Sequence, residues 1–68
     1  MDELRRLRSN RQDEIDSAAE YRAMAAVEPD ASVAHVYEEL ADVEDRHAKF
    51  WEERLLERGV YVGPRRPS

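Results

Sequence analysis

The chain contains no cysteine. Disulfide staples are excluded, and so are thiolate zinc sites and any cysteine-held iron–sulfur or mononuclear iron centre. Glycine is missing before position 59, and Pro29 is the single proline in that stretch. Long turns and flexible linkers therefore have little place there. No apolar run approaches the roughly 20 residues needed to span a bilayer. The charged N-terminus has no apolar segment of the signal-peptide kind. A cysteine-free chain with neither feature is expected in the cytoplasm, free or as the water-exposed domain of a membrane protein. Basic residues are outnumbered 11 to 16, for a net charge of −5, which argues against nucleic acid as a partner.

What is present is helix-forming. Asp2 to Val27 consists mostly of Ala, Glu, Arg, Leu and Met, residues that lose little on entering a helix. The spacing predicts one helix from about Glu3 to Val27, although Ser9 with Gln12 offers an alternative start near Asn10. Glu28-Pro29-Asp30 is a break, because proline disfavours helical geometry in the residue before it. Asp30 or Ser32 supplies the next N-cap. A second helix from about Ala31 to Arg58 ends at Gly59, a good C′ residue. Residues 1–59 are thus a helical hairpin, and 60–68, with Gly63, Pro64 and Pro67, an extended or disordered tail.

Two helices joined by so short a break are antiparallel neighbours. A hairpin of 68 residues cannot cover its own apolar stripe, and domains of this size commonly lean on a metal or a partner chain. Pairing of two hairpins gives the simplest complete core, a four-helix bundle. The expected fold is all-α: a two-helix antiparallel hairpin that dimerises.

Successive helical residues turn about 100°. With Glu14 at zero, Leu7, Ala18, Tyr21 and Ala25 fall within about 40° of it. On the second helix Val33, Val36, Tyr37, Leu40, Val43, Trp51 and Leu55 form one stripe. Glu44 and His47 lie inside it, three residues apart and so on one face. A buried carboxylate costs several kcal/mol unless paired, protonated or metal-bound. Dimerisation would collect four Glu and two His in one interior. That is the donor set of a di-iron carboxylate bundle, with one Glu from each of two helices and Glu-x-x-His from each of the others. Carboxylates and imidazole suit iron, with manganese or zinc as substitutes.

Each residue has a plainer reading. Glu14 can be an ion-pair partner of Arg11 or of an arginine of the second helix, and Glu44 with His47 a hydrogen-bonded core pair. Tyr21 and Tyr37 can be ordinary packing. Trp51 reads as an interface or bundle-end anchor, and His35 as a surface residue. Glu20 and Glu28 are weak candidates for a secondary iron site. The cluster Arg5, Arg6, Arg8 and Arg11 is a solvated face or, beside a membrane, a contact for anionic lipid.

The stretches Glu14-Ile-Asp-Ser-Ala-Ala-Glu-Tyr21 and Val43-Glu-Asp-Arg-His-Ala-Lys-Phe50 resemble the two metal-binding helix motifs of the rubrerythrin branch of the ferritin-like superfamily. The resemblance covers about positions 10 to 58. It is closest to the short rubrerythrin-like domain that precedes the membrane part of some vacuolar-iron-transporter-like proteins and membrane-bound ferritins. The encapsulated ferritins, also half-bundles, come second. Pro64-Arg65-Arg66-Pro67-Ser68 resembles the linker into that membrane part.

The resemblance implies a ferritin-like bundle in which Glu14, Glu44 and His47 ligate metal and Tyr21 supports them from behind. It implies a homodimer or larger homo-oligomer holding two irons per dimer, tethered to a C-terminal membrane domain or housed in an encapsulin shell. The activity it implies is oxidation of Fe(II) by dioxygen or peroxide, in iron storage, detoxification or export. Two other activities remain open: a non-catalytic iron-sensing and dimerisation domain, and a rubrerythrin-type peroxide reductase. The last would need an outside electron donor, because the chain has no cysteine-bound centre of its own.

Overall fold

A computed structural model of the chain describes residues 2–68. Two helices, α1 (Asp2–Val27) and α2 (Ala31–Glu57), fold into an antiparallel hairpin. Its principal extents are 44 × 18 × 18 Å, those of a rod two helices thick.

Local chemistry accounts for the ends of α2. Asp30 sits in extended geometry, and its carboxylate accepts hydrogen bonds from the backbone N–H groups of Ser32 (2.9 Å) and Val33 (3.3 Å). Asp30 is therefore the N-cap, and Ser32 is already helical. Glu28 tightens the turn by accepting from the Asp30 N–H at 3.1 Å. At the other end Gly59 takes φ +74°, a conformation that a Cβ would strain. The Gly59 N–H then reaches the Leu56 carbonyl (2.9 Å) and the Val60 N–H the Leu55 carbonyl (3.1 Å). This Schellman pair satisfies carbonyls that the ended helix leaves open.

The buried residues are Leu7, Ile15, Ala18 and Ala25 on α1, with Ala41, Ala48 and Leu55 on α2. Ala41, Ala48 and Leu55 recur every seven residues, as do Ala18 and Ala25, the spacing of a two-helix seam. Alanine at four of these seven positions makes the seam narrow. It lets the helices approach closely but removes little apolar surface from water.

Larger apolar residues are left out of that seam. Of the expected α2 stripe, Leu55 alone is buried, while Tyr37, Val43 and Trp51 are partly covered. Val33, Val36 and Leu40 are exposed, together with Met24 of α1 and Phe50. A lone hairpin does not cover this stripe, because α1 packs onto the alanine line beside Val33, Val36 and Leu40. They form an open apolar flank.

The opposite flank is covered by the chain itself. Residues 60–68 carry no helix or strand and run back along the hairpin. Arg11 Nη2 donates to the Gly63 carbonyl (2.7 Å) and Gln12 Nε2 to the Arg66 carbonyl (2.8 Å). Ser68 donates its N–H (2.9 Å) and its hydroxyl (2.6 Å) to Asp16. Ile15 is 5% exposed and lines a recess with Ala18 and Pro67 of this tail. Its angular position on α1 lies outside the expected stripe, so its burial comes from the tail.

Candidate metal centre

Glu14 projects from the middle of α1, and Glu44 and His47 from adjacent turns of α2. One ligating atom from each of the three lies within 4.8 Å of the other two. His47 Nδ1 is 3.1 Å from Glu44 Oε1 and 3.5 Å from Glu14 Oε2. This ring nitrogen faces both carboxylates. Protonated, it donates to them; deprotonated, its lone pair is a third donor to a cation in the same place.

The cluster lies on the open flank, at the edge of the alanine seam. The side chains of Glu14 and Glu44 are 22% and 20% exposed, and that of His47 is 54% exposed. Burial of all three side chains is expected only of paired hairpins; in the single hairpin they reach solvent. The carboxylates are half-buried and the imidazole stands largely in solvent, since no second layer covers it. Burial pushes the Glu44 carboxyl above the usual carboxylate range, helped by the hydrogen bond and like charge of Glu14, while His47 pulls it back. Two carboxylates this close stabilise each other when they share a proton or a cation.

Trp51 is a further neighbour of the donors. Its indole N–H donates to Glu14 Oε2 at 3.4 Å across the helix pair, which sets it beside the cluster rather than at the bundle end and leaves its expected place at an interface untouched. Position 51 is four residues after His47 and seven after Glu44, a spacing that already puts it on their face. Tyr21 stands elsewhere. Its ring stacks on Tyr37 with centroids 6.4 Å apart, and among the described residues it has no hydrogen bond to either carboxylate.

The plainer partners are also settled. Arg11 does not pair with Glu14; its Nε bonds Glu52 at 2.9 Å. His35 is exposed and sits 3.4 Å from Glu39. Glu28 serves the turn, and Glu20 is exposed. Neither joins the donor cluster.

Chemically, the group is two hard oxygen donors and one borderline nitrogen donor, suited to Fe(II), Mn(II) or Zn(II). One chain leaves part of any such cation's coordination open. Among the described residues no helix is long and apolar enough to cross a membrane. Compared with protein-family models, curated proteins and solved structures, the chain matches none.

Proposed function

We propose that two hairpins pair through their open flanks into a ferritin-like four-helix bundle that binds two Fe(II) ions and promotes their oxidation. The observation that carries this reading is the convergence of Glu14, Glu44 and His47 on the same flank as exposed Val33, Val36 and Leu40. A second copy would bury those apolar side chains and bring a second donor set. Four carboxylates then balance the charge of two divalent irons, and two imidazoles complete the set.

Iron is the substrate in this scheme. The carboxylates bind it and stabilise the added positive charge as each Fe(II) gives up an electron. The pair supplies two electrons that, with two protons from solvent, reduce dioxygen to hydrogen peroxide or hydrogen peroxide to two waters. Glu14 and Glu44 supply paired anionic donors whose mutual repulsion a bound cation relieves. Trp51 steadies Glu14 through its N–H, and the apolar rim limits water access once paired. Peroxide reduction as a sustained activity would need an external reductant, given the absence of cysteine. Attachment to a membrane-embedded part or enclosure in an encapsulin shell follows from the motif resemblance and is proposed with it.

A second reading is metal-controlled dimerisation without electron transfer. It is favoured by donors and apolar side chains sharing one flank, which links metal binding to pairing by mass action. Oxygen uptake separates the two. On addition of Fe(II), the oxidising reading expects oxygen consumption, two irons per dimer and an anomalous signal at the iron edge, with binding and consumption both lost in Glu44→Ala. Iron-dependent pairing without uptake favours the second reading. An unchanged Glu44→Ala refutes both.

A further inference from the structure

The tail braces the hairpin from behind at the height of the donor cluster, and we infer that Arg65 is a positioning residue for that cluster. The bracing contacts reach α1 at Arg11, Gln12 and Asp16 and α2 at Asp45 and Glu52. Glu14 lies within the first of these segments. His47 and Trp51 lie within the second, and Glu44 adjoins it. The same turns of the two helices therefore carry donors on one flank and tail anchors on the other.

The joint is the Glu52 carboxylate. It accepts Nε and Nη2 of Arg65, each at 2.8 Å, and Nε of Arg11 at 2.9 Å. Arg11 continues to the Gly63 carbonyl at 2.7 Å. One carboxylate thus ties α1, α2 and the tail together. The Arg11 and Glu52 side chains are 14% and 15% exposed, so solvent screens this network less than an open surface pair. The planar guanidinium fork of Arg65 fixes an angle as well as a charge, which a lysine would not. Arg65 Nη1 also stands 3.6 Å from Asp45 Oδ1, whose other oxygen is held by Arg22 at 2.6 Å.

The cluster needs such a brace. Its donors come from different helices and meet only while the helices keep their rotation and axial offset. The seam beside them is built from Ala18, Ala41 and Ala48, whose single methyl groups resist slippage weakly. The contact from Trp51 to Glu14, at 3.4 Å, is already long for an N–H···O bond, so a small shift of the helices breaks it. The brace holds that contact and the spacing of Glu14 from Glu44. Its consequence for metal affinity rests on the reading of the cluster as a metal centre.

The test uses the full chain with Arg65→Gln, Arg65→Lys and, as a stability control, Asp30→Ala. Asp30 caps α2 at the hairpin turn, about 20 Å along the helix from Glu44. Mn(II) titration by calorimetry is expected to show a five- to tenfold loss of affinity in Arg65→Gln, the scale of a modest coupling between sites. Circular dichroism should show its helix content intact. Arg65→Lys should recover part of the loss, and Asp30→Ala should melt earlier yet bind within twofold of the parent.

Trp51, the chain's single tryptophan, reports without metal: its emission should shift red in Arg65→Gln and stay put in Asp30→Ala. Affinity within twofold in Arg65→Gln, an equal loss in Asp30→Ala, or unmoved Trp51 emission overturns the inference. A parent chain that binds no Mn(II), Fe(II) or Zn(II) overturns the metal reading instead. The Trp51 comparison then still decides whether Arg65 holds the two helices in place.

Discussion

Replacing Glu44 with glutamine should have opposite effects on stability with and without metal. Glu14 and Glu44 present carboxylate oxygens within 4.8 Å of each other. Two unit charges at that distance repel by about 3 kcal/mol at an effective dielectric of 20 and about 1 kcal/mol in water. The side chains are about one-fifth exposed, and His47 offsets part of the repulsion. A net relief of about 1 kcal/mol at neutral pH is therefore expected in Glu44→Gln, whose amide keeps the shape and loses the charge. For a chain of this size that is about 4–8 °C in melting temperature.

Metal reverses the order. At a free concentration a hundredfold above its Kd, Mn(II) should stabilise the parent by about 2.7 kcal/mol. The variant, with one anionic donor gone, should gain little. Thermal melts followed by circular dichroism at one fixed protein concentration, with chelator and then with Mn(II), should show the two curves exchange places. A variant that melts below the parent in chelator, or that gains as much from Mn(II), would refute the account of the cluster as two mutually repelling anions awaiting a cation.

Leu40→Glu places a charge on the open apolar flank and, on the proposed pairing of hairpins, should leave the helices intact while shifting sedimentation equilibrium from dimer to monomer. An unchanged dimer would put the interface elsewhere. Leu55→Ala empties the largest fully buried position of the seam and should cost about 2–5 kcal/mol, read as a loss of cooperative melting; a change under 1 kcal/mol (order of magnitude) would contradict the seam. Acid should release the tail. The Glu52 carboxyl is held below the usual carboxylate range, chiefly by its hydrogen bond to Arg65. Its contribution is present above the unfolded-state pKa and lost as pH falls through the lowered folded value, so Trp51 emission should shift red in that acidic window and not above it. Glu44 has the opposite sign. Its raised carboxyl favours the metal-free fold below the unfolded pKa, and that contribution disappears as pH rises through the folded value, so Glu44→Gln should flatten this part of the stability profile.

The helix limits were legible in the sequence because their causes are local. Pro29 bars helix in the residue before it, the Asp30 carboxylate reaches two and three residues ahead, and Gly59 takes a positive φ with no side chain to clash. That Glu44 and His47 share a face follows from 100° per residue and needs no tertiary information. The meeting of Glu14 with that pair was an expectation of hairpin pairing, and the structure supplies the 4.8 Å. The rest was decided by how the two rods and the tail settle against each other. Packing along the alanine line left Val33, Val36 and Leu40 outside, set the Trp51 N–H against Glu14, and turned Tyr21 toward Tyr37. Folding back of residues 60–68 buried Ile15 and joined Arg65 to Glu52. Contacts between α1 and either α2 or the tail span tens of residues, and they depend on the rotation and offset of whole elements. Periodicity and capping rules act over a few residues and carry no information about either.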